Sequence, residues 1–159
     1  MRNELDVALA KDFQSLYRNR YGDIRTSCMP WGFDIGDGWH GIIRELSAAV
    51  THEASVHAWG GEAKASDRHL ECGFFVVADQ VKEKFGTLRF YYHSEPKPGV
   101  RMEDVDDGYA KETAAAIRGI VSMAEYMSGV TCELCGSPGE INDGGWLSVR
   151  CGLCRRADV

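Results

Sequence analysis

The 159-residue sequence has no long apolar run, no internal repeat and no excess of basic residues. No apolar stretch reaches the roughly 18 residues that a membrane-spanning helix needs, which argues against an integral helical membrane protein. The chain carries 24 acidic residues against 18 lysines and arginines, a formal net charge of −6. Because nucleic-acid affinity depends largely on cations that release counterions from phosphates, this charge opposes broad nucleic-acid binding.

The first residues of the chain also lack the apolar core of a secretion signal and carry acids early. We therefore expect a cytoplasmic protein, in which reducing conditions favour metal binding over disulfides for the six cysteines. Cys28 and Cys72 are expected to be ordinary buried thiols. The apolar fraction of 44% is enough to build a core, and the length suggests one compact domain with a small appendage.

Four cysteines near the end of the chain form two Cys-x-x-Cys pairs, Cys132 with Cys135 and Cys151 with Cys154. A gap of 15 residues between the pairs is typical of a four-thiolate zinc site. Gly136 follows the second cysteine and can take the positive φ that such a turn often requires. We predict one structural Zn²⁺, because four cysteine ligands leave no position for water. Two disulfides or four free thiols are the alternatives.

The apolar periodicity predicts an α+β fold in which helices pack on a small antiparallel sheet. Helices are predicted near 3–21, 38–50 and 107–128, and an antiparallel hairpin is predicted over 74–93 with its turn at Gly86. We divide the chain into an α+β body, 1–129, and a zinc ribbon, 130–159. The residues predicted to be buried between the last two helices and the hairpin are Trp39, Ile43, Leu46, Leu88, Phe90, Ile117 and Val121.

Three segments together carry a resemblance to a known group of proteins. They are Trp-Gly-Phe and Gly-Asp-Gly-Trp at 31–39, Val-Lys-Glu-Lys-Phe-Gly-Thr-Leu-Arg-Phe-Tyr at 81–91, and the Cys-x-x-Cys-Gly segment. The chain resembles small zinc-ribbon proteins encoded by phages and prophages over about residues 28–154. Many of those end in Cys-x-x-His, whereas this chain has Cys151 and Cys154. The resemblance implies a phage origin and action in the cytoplasm of a bacterial host, and it implies no activity.

Two functional classes are compatible with these features. The first is a non-catalytic protein that binds a bacterial or phage protein and thereby inhibits a host defence or a nucleic-acid machine. Its candidate contact residues are Trp31, Asp34 and Trp39 in a glycine-rich loop, and Asp104 and Asp106 in an acidic run. The two tryptophans could instead be core anchors, and the acidic run could be a solvated helix start.

The second class is a nucleic-acid-binding module in which cations contact phosphates and rings stack on bases. Its candidate residues are Lys82, Lys84, Arg89 and Tyr91 in the hairpin, and Arg150, Arg155 and Arg156 in the ribbon. Alternating rings are also typical of the packed side of a small sheet. Residues 131–159 have a net charge of −1, or −3 once four thiolates and Zn²⁺ are included, which does not favour this class.

A zinc deaminase is a third and more distant alternative. His93-Ser94-Glu95, followed by Cys132 and Cys135, echoes the His-x-Glu and Pro-Cys-x-x-Cys pattern of those enzymes. Thr131 replaces the proline, however, and Pro96 makes a catalytic helix at this point unfavourable. The second cysteine pair would also have no role. We therefore predict that the protein is not an enzyme.

Overall fold

A long β-hairpin forms the centre of the fold in the computed structural model, which describes residues 1–55, 74–98, 107–142 and 145–157. The helices are α1 (Asn3–Asp12), α2 (His40–Ser55), α3 (Asp107–Ser128) and α4 (Gly152–Ala157). The strands are β1 (Phe33–Asp34), β2 (Phe74–Lys84), β3 (Thr87–Pro96), β4 (Glu140–Asn142) and β5 (Ser148–Arg150). Single 3₁₀ turns, Met29–Trp31 and Asp37–Trp39, precede β1 and α2. The predicted α+β class is confirmed.

Strands β2 and β3 form the predicted antiparallel hairpin, and its register places Val81 opposite Phe90 and Lys82 opposite Arg89. A bulge between Ala78 and Gln80 shifts the register once. The two residues of the turn, Phe85 and Gly86, have φ values of 57° and 77°. Positive φ at both turn residues is what a type I′ hairpin turn needs, because its twist matches that of the flanking strands.

The sheet has a third strand that the sequence did not predict. The two residues of β1 pair in parallel with β2, so that Phe33 lies beside Val81 and Asp34 beside Lys82. Two residues are too few to show an alternating pattern, and only the pairing itself defines this strand.

Helix α3 covers the free edge of β3 with two side chains. The amide of Leu88 donates to Ser128 Oγ at 2.8 Å, and the amide of Phe90 donates to Glu125 Oε1 at 3.1 Å. Unpaired strand edges are sites of unwanted association, and these two bonds protect this one.

The core lies between the hairpin, α2 and α3, as predicted. All seven residues predicted to fill it are buried, and Trp39, Ile43 and Leu88 are fully inaccessible. Tyr17 adds another aromatic ring to this core and shares a hydrogen bond of 2.6 Å with Ser47. Full burial shows that the prediction of Trp39 as a partner-contacting residue is wrong, because it leaves no indole surface for a partner.

Helix α1 is shorter than predicted, since it ends at Asp12 and turns follow it. Asp6, in the first turn of this helix, is buried and accepts hydrogen bonds from Arg20 Nε at 2.7 Å and Nη2 at 3.0 Å. It also accepts a bond of 3.3 Å from the amide of Phe33, at the start of β1. The buried ion pair therefore ties α1 to the loop before the sheet.

Candidate metal centre

The four predicted ligands come together at the end of the chain. Their sulfur atoms all lie within 4.8 Å of one another, and Cys135 Sγ lies 3.7 Å from Cys151 Sγ. Four thiolates at about 2.3 Å from one ion are about 3.8 Å apart along the edges of the tetrahedron. A disulfide needs about 2.05 Å, and all four thiols are free. The cysteine quartet, Cys132, Cys135, Cys151 and Cys154, can therefore hold a metal ion.

The first cysteine pair lies on a tight turn directly after α3. The amide of Gly136 donates to the carbonyl of Cys132 at 2.9 Å, and the amide of Cys132 donates to the carbonyl of Ser137 at 2.7 Å. Gly136 has a φ of 78°, which confirms the predicted reason for glycine at this position. The turn points both sulfurs of the pair toward the same point.

The second pair is carried by β5 and α4. Cys151 directly follows β5, and Cys154 lies in the first turn of α4, where its amide donates to Cys151 Sγ at 3.4 Å. The sequence did not predict this short helix. A Cys-x-x-Cys pair can be held by a turn or by a helix, and the spacing alone does not distinguish them.

The local hydrogen bonds favour thiolate at three of these sulfurs. Against the desolvation caused by burial, the backbone amides of Cys151, Cys135 and Leu134 lower the pKa of Cys132. The Ser137 hydroxyl and amide lower the pKa of Cys135, and the backbone amide of Cys154 lowers the pKa of Cys151. The pKa of Cys154 is instead raised to about 12, because its thiol hydrogen-bonds to the sulfurs of Cys135 and Cys151. A divalent cation placed among the four sulfurs would displace this last proton, so metal binding releases protons here.

The first cysteine turn packs directly on the loop before α2. The amide of Gly38 donates to the carbonyl of Glu133 at 2.8 Å, and the amide of Gly36 donates to Glu133 Oε1 at 3.1 Å. Trp39 Nε1 donates to the carbonyl of Thr131 at 2.8 Å. The cysteine quartet is therefore joined to the body by three hydrogen bonds.

Glu133 supports the cysteine turn by contacts that the sequence did not predict. Besides its contacts with the loop, its Oε2 accepts a hydrogen bond of 3.0 Å from Arg150 Nη1, and both side chains are largely buried. Its position between the two cysteines gave no signal, because the Cys-x-x-Cys spacing specifies only the cysteines.

The three ribbon arginines differ in exposure and pairing. The Arg150 side chain is only 17% exposed and pairs with Glu133, which leaves it poorly placed to contact phosphate. Arg155 Nη2 donates to the carbonyl of Glu140 at 3.0 Å and lies 3.7 Å from the Glu140 carboxylate. Arg156 is exposed on α4.

The hairpin candidates do share one side of the sheet. Lys82 lies directly opposite Arg89, and Lys84 and Tyr91 lie on the same side two residues along. The Lys82 ammonium is 5.5 Å from the centre of the Tyr91 ring, and Tyr91 is 43% exposed. Arg89 Nη1 donates to Thr87 Oγ1 and to the Leu88 carbonyl, both at 2.7 Å, so its guanidinium is held close to its own strand.

The predicted protein-contacting residues are distributed differently. Trp31 is 77% exposed. Asp34 on β1 is also exposed and lies beside Lys82 on β2. Trp39 is buried, as described above. Asp104 and Asp106 lie outside the described residues.

The deaminase arrangement is not formed. In the described part of the chain, the group of metal-binding side chains that lie close together consists of the four cysteines alone. His93 is bound elsewhere: its Nδ1 lies 2.9 Å from both Asp79 carboxylate oxygens and its Nε2 lies 2.9 Å from Glu95 Oε1. The His-x-Glu arrangement proposed for a deaminase needs His93 beside the cysteines on one ion.

No protein family, curated protein or solved structure matches this chain. The resemblance to small phage proteins therefore stays a prediction. None of the described helices combines the length and apolar character that crossing a bilayer requires.

Proposed function

We propose that this chain is a zinc-stabilised, non-catalytic binding protein that acts by contact with a bacterial or phage protein. The observation that carries the proposal is Trp31, whose indole is 77% exposed on a backbone that is held firmly in place. The resemblance to phage proteins leads us to place this action in the cytoplasm of a bacterial host. Its target there is a host defence or a nucleic-acid machine.

Zinc is the ion that best suits the quartet. Four thiolates in a tetrahedron are a preferred donor set of Zn²⁺, and the sulfur spacing fits that ion. With all four positions filled by protein, no site remains to activate water, and we assign the ion a structural role. Cys132 and Cys151 are buried, which further limits access of a substrate to the ion.

The loop that carries Trp31 is fixed after Trp31 by the amide of Phe33, which donates to Asp6 Oδ2 at 3.3 Å, and before Trp31 by two further hydrogen bonds. The amide of Cys28 donates to the carbonyl of Asp79 in the sheet at 3.0 Å, and Arg20 Nη1 donates to the carbonyl of Pro30 at 3.1 Å. Arg20 is itself held by the buried Asp6. An exposed tryptophan on an ordered backbone loses little conformational entropy on binding, and such residues often contribute most of the binding energy at interfaces.

Capture of a partner by the immobilised protein tests this proposal. Bacterial proteins retained from a lysate are identified by mass spectrometry. Each of them is then purified, and its affinity for this chain is measured. Trp31→Ala should weaken binding of a specific partner by about 2 kcal/mol or more. Trp146→Ala is the matched control, because Trp146 is 82% exposed and lies in the ribbon. Equal binding by wild type and Trp31→Ala would contradict the proposal.

Binding of single-stranded nucleic acid is a second candidate, favoured by the common side of Lys82, Lys84, Arg89 and Tyr91 on the hairpin. The net charge of −6 and the engagement of Arg150 by Glu133 oppose it. A titration with labelled oligonucleotide at several salt concentrations separates the two candidates. Submicromolar affinity at physiological salt, lost in Lys82→Glu, would favour nucleic acid over protein as the partner.

A further inference from the structure

Helix α3 has an apolar face that points to solvent as well as the face that packs in the core. Its inner residues include Ile117, Val121 and Ala124, all buried. On its other side, Met123 is 63% exposed and Tyr126 is 84% exposed. We name the outer stripe of α3 as Ala116, Gly119, Met123 and Tyr126, with Val130 just beyond the helix end. All five residues are exposed, and none is charged.

The outer stripe has the spacing of a helix–helix seam. Its members are separated by three, four, three and four residues, which is the a and d pattern of a heptad repeat. Its helical part, from Ala116 to Tyr126, extends over about 15 Å at 1.5 Å per residue. A helix that is apolar on more than one side is normally covered on each of them.

An open groove of about 820 Å³ runs beside the outer stripe, between α2 and α3. Its walls are mostly apolar and include Ile42 and Ile120, and Glu45 is the only charged residue among the described residues that line it. The groove is wide above Gly41 and Gly119, since a β-carbon added at either glycine meets no atom within 4 Å. Side chains from a neighbouring helix can therefore enter it.

We propose that the outer stripe is covered by the same stripe of a second copy of this chain, with the two α3 helices antiparallel. In an antiparallel pair, each a residue lies beside a d residue of the other helix. A two-fold axis that crosses the outer side of α3 at the level of position 121 then places Ala116 beside Tyr126 of the second copy. The same axis places Gly119 beside Met123 of the second copy. The small residues Ala116 and Gly119 of each stripe thus pack against the large residues Met123 and Tyr126 of the other.

This small-to-large arrangement is the reason to choose a second copy over an unrelated helix. A two-fold interface uses the same surface on both partners, so that surface must complement itself when it is reversed. The outer stripe does so, with Ala116 and Gly119 at one end and Met123 and Tyr126 at the other. The absence of charge from the stripe also means that two chains of net charge −6 bring no like charges together along the seam.

Sedimentation velocity of the full chain over a range of micromolar concentrations tests the proposal. The wild type should approach twice the 17.6 kDa mass of one chain. Ala116→Arg should raise the dimer dissociation constant at least about 10-fold, because it places a long cation on the seam. Ala8→Arg is the matched control: Ala8 is exposed on α1, and arginine is a good helix former at both positions. A monomeric wild type, or a dimer unaffected by Ala116→Arg, would overturn the proposal.

A pair of introduced opposite charges tests the antiparallel register. It does so by a recovery of dimer affinity and not by a loss of affinity alone. Ala116→Glu and Tyr126→Arg should each weaken the dimer, and the double variant should bind about 10-fold more tightly than either single variant. Recovery occurs only when position 116 of one copy lies beside position 126 of the other. A double variant as weak as the singles would exclude this register. Capture of a different protein on the stripe of a monomeric wild type would equally overturn the second copy as its occupant.

Discussion

At the scale of single residues, Gly36 and Gly38 lie closer to the first cysteine turn than any side chain would allow. A β-carbon at Gly36 would be 2.2 Å from the carbonyl oxygen of Glu133, and one at Gly38 would be 2.2 Å from the carbonyl oxygen of Cys132. Both obstacles are backbone atoms, which cannot move aside as a flexible side chain can. These glycines are therefore required by close approach and not by an unusual φ.

We predict that Gly38→Ala lowers the free energy of unfolding by roughly 2–4 kcal/mol, because the loop and the cysteine turn must separate. Urea denaturation monitored by circular dichroism measures the change. Gly41→Ala is the control, since its new β-carbon meets no atom within 4 Å inside α2, and it should stabilise the protein by about 0.5–1 kcal/mol. Equal effects of the two substitutions would show that the close approach at Gly38 is not maintained in solution.

His93 provides a second prediction at this scale. The carboxylates of Glu95 and Asp79 raise the pKa of His93 above its ordinary value. A raised folded-state pKa stabilises the fold fully below the ordinary pKa of about 6.5, and the contribution is lost as the pH rises through the folded value. His93→Gln should therefore lower the free energy of unfolding in mildly acidic solution and have no such effect in alkaline solution.

The expected loss from His93→Gln is below about 1 kcal/mol, because the ring is 42% exposed and water screens the ion pairs. Thermal melts of both proteins at about pH 5.5 and at about pH 9 measure it. A difference that grows toward alkaline pH would contradict the assignment.

The cysteine quartet could be predicted from the sequence because its ligands come as two local pairs. Each pair needs only a short turn, and a metal joins the two. Glu133 could not be predicted in the same way, since it contacts Gly36 across 97 positions of the chain. Trp39 shows a related limit: its helical spacing predicts a core residue and its glycine-rich loop suggests a contact residue, and only the packed fold decides between them.

At the scale of elements, the hairpin turn contains a residue that is unusual for its backbone. Phe85 has a φ of 57° and a ring that is 66% exposed, with the Lys84 ammonium 5.2 Å from the ring centre. Asparagine tolerates this left-handed conformation much better, and Asn-Gly is the preferred type I′ pair.

We therefore predict that Phe85→Asn stabilises the fold by about 0.5–1 kcal/mol, with no change in the hairpin register. Chemical denaturation measures the gain, and amide exchange along β2 and β3 reports the register. Phe85→Ala is the matched control, since it removes the ring without improving the turn, and it should give no gain. Destabilisation by Phe85→Asn would mean that the ring contributes more by its contacts than the turn gains by its conformation.

Elements with many residues and a clear period were predictable, and short ones were not. The apolar stripe along α3 and the alternation along β3 each extend over several periods, and both elements are confirmed. The two residues of β1 and the six of α4 are too short for such a signal. Both depend on tertiary contacts, through pairing with β2 and through the cysteine quartet.

At the scale of the whole molecule, the quartet does more than close a small ribbon. The residues on either side of Cys132 bond to the loop before α2: the carbonyl of Thr131 to the indole of Trp39, and the carbonyl of Glu133 to the amide of Gly38. Trp39 is fully buried in the core shared with α3 and the hairpin. The cysteine turn therefore contacts the loop before α2, and that loop contributes Trp39 to the main core.

We predict from this that loss of the metal destabilises the body as well as the ribbon. Cys135→Ser should remove the ion and lower the thermal midpoint of the main unfolding transition, because energy from metal binding contributes to folding. The tryptophan fluorescence, to which Trp39 contributes, should change in the same step, since the hydrogen bond from Trp39 to Thr131 is lost. Cys28→Ser is the matched control: Cys28 is also an exposed, free thiol but lies outside the quartet. It should retain the ion and the wild-type midpoint.

Calorimetry and elemental analysis of the three proteins, each with and without a strong chelator, complete this test. The wild type and Cys28→Ser should contain about one equivalent of zinc and lose stability on chelation, whereas Cys135→Ser should be insensitive to the chelator. Three hydrogen bonds connect the cysteine turn to the body, and their combined net contribution is about 1.5–4.5 kcal/mol. A main transition that stays unchanged when the zinc is removed would show that the ribbon folds and unfolds independently of the body.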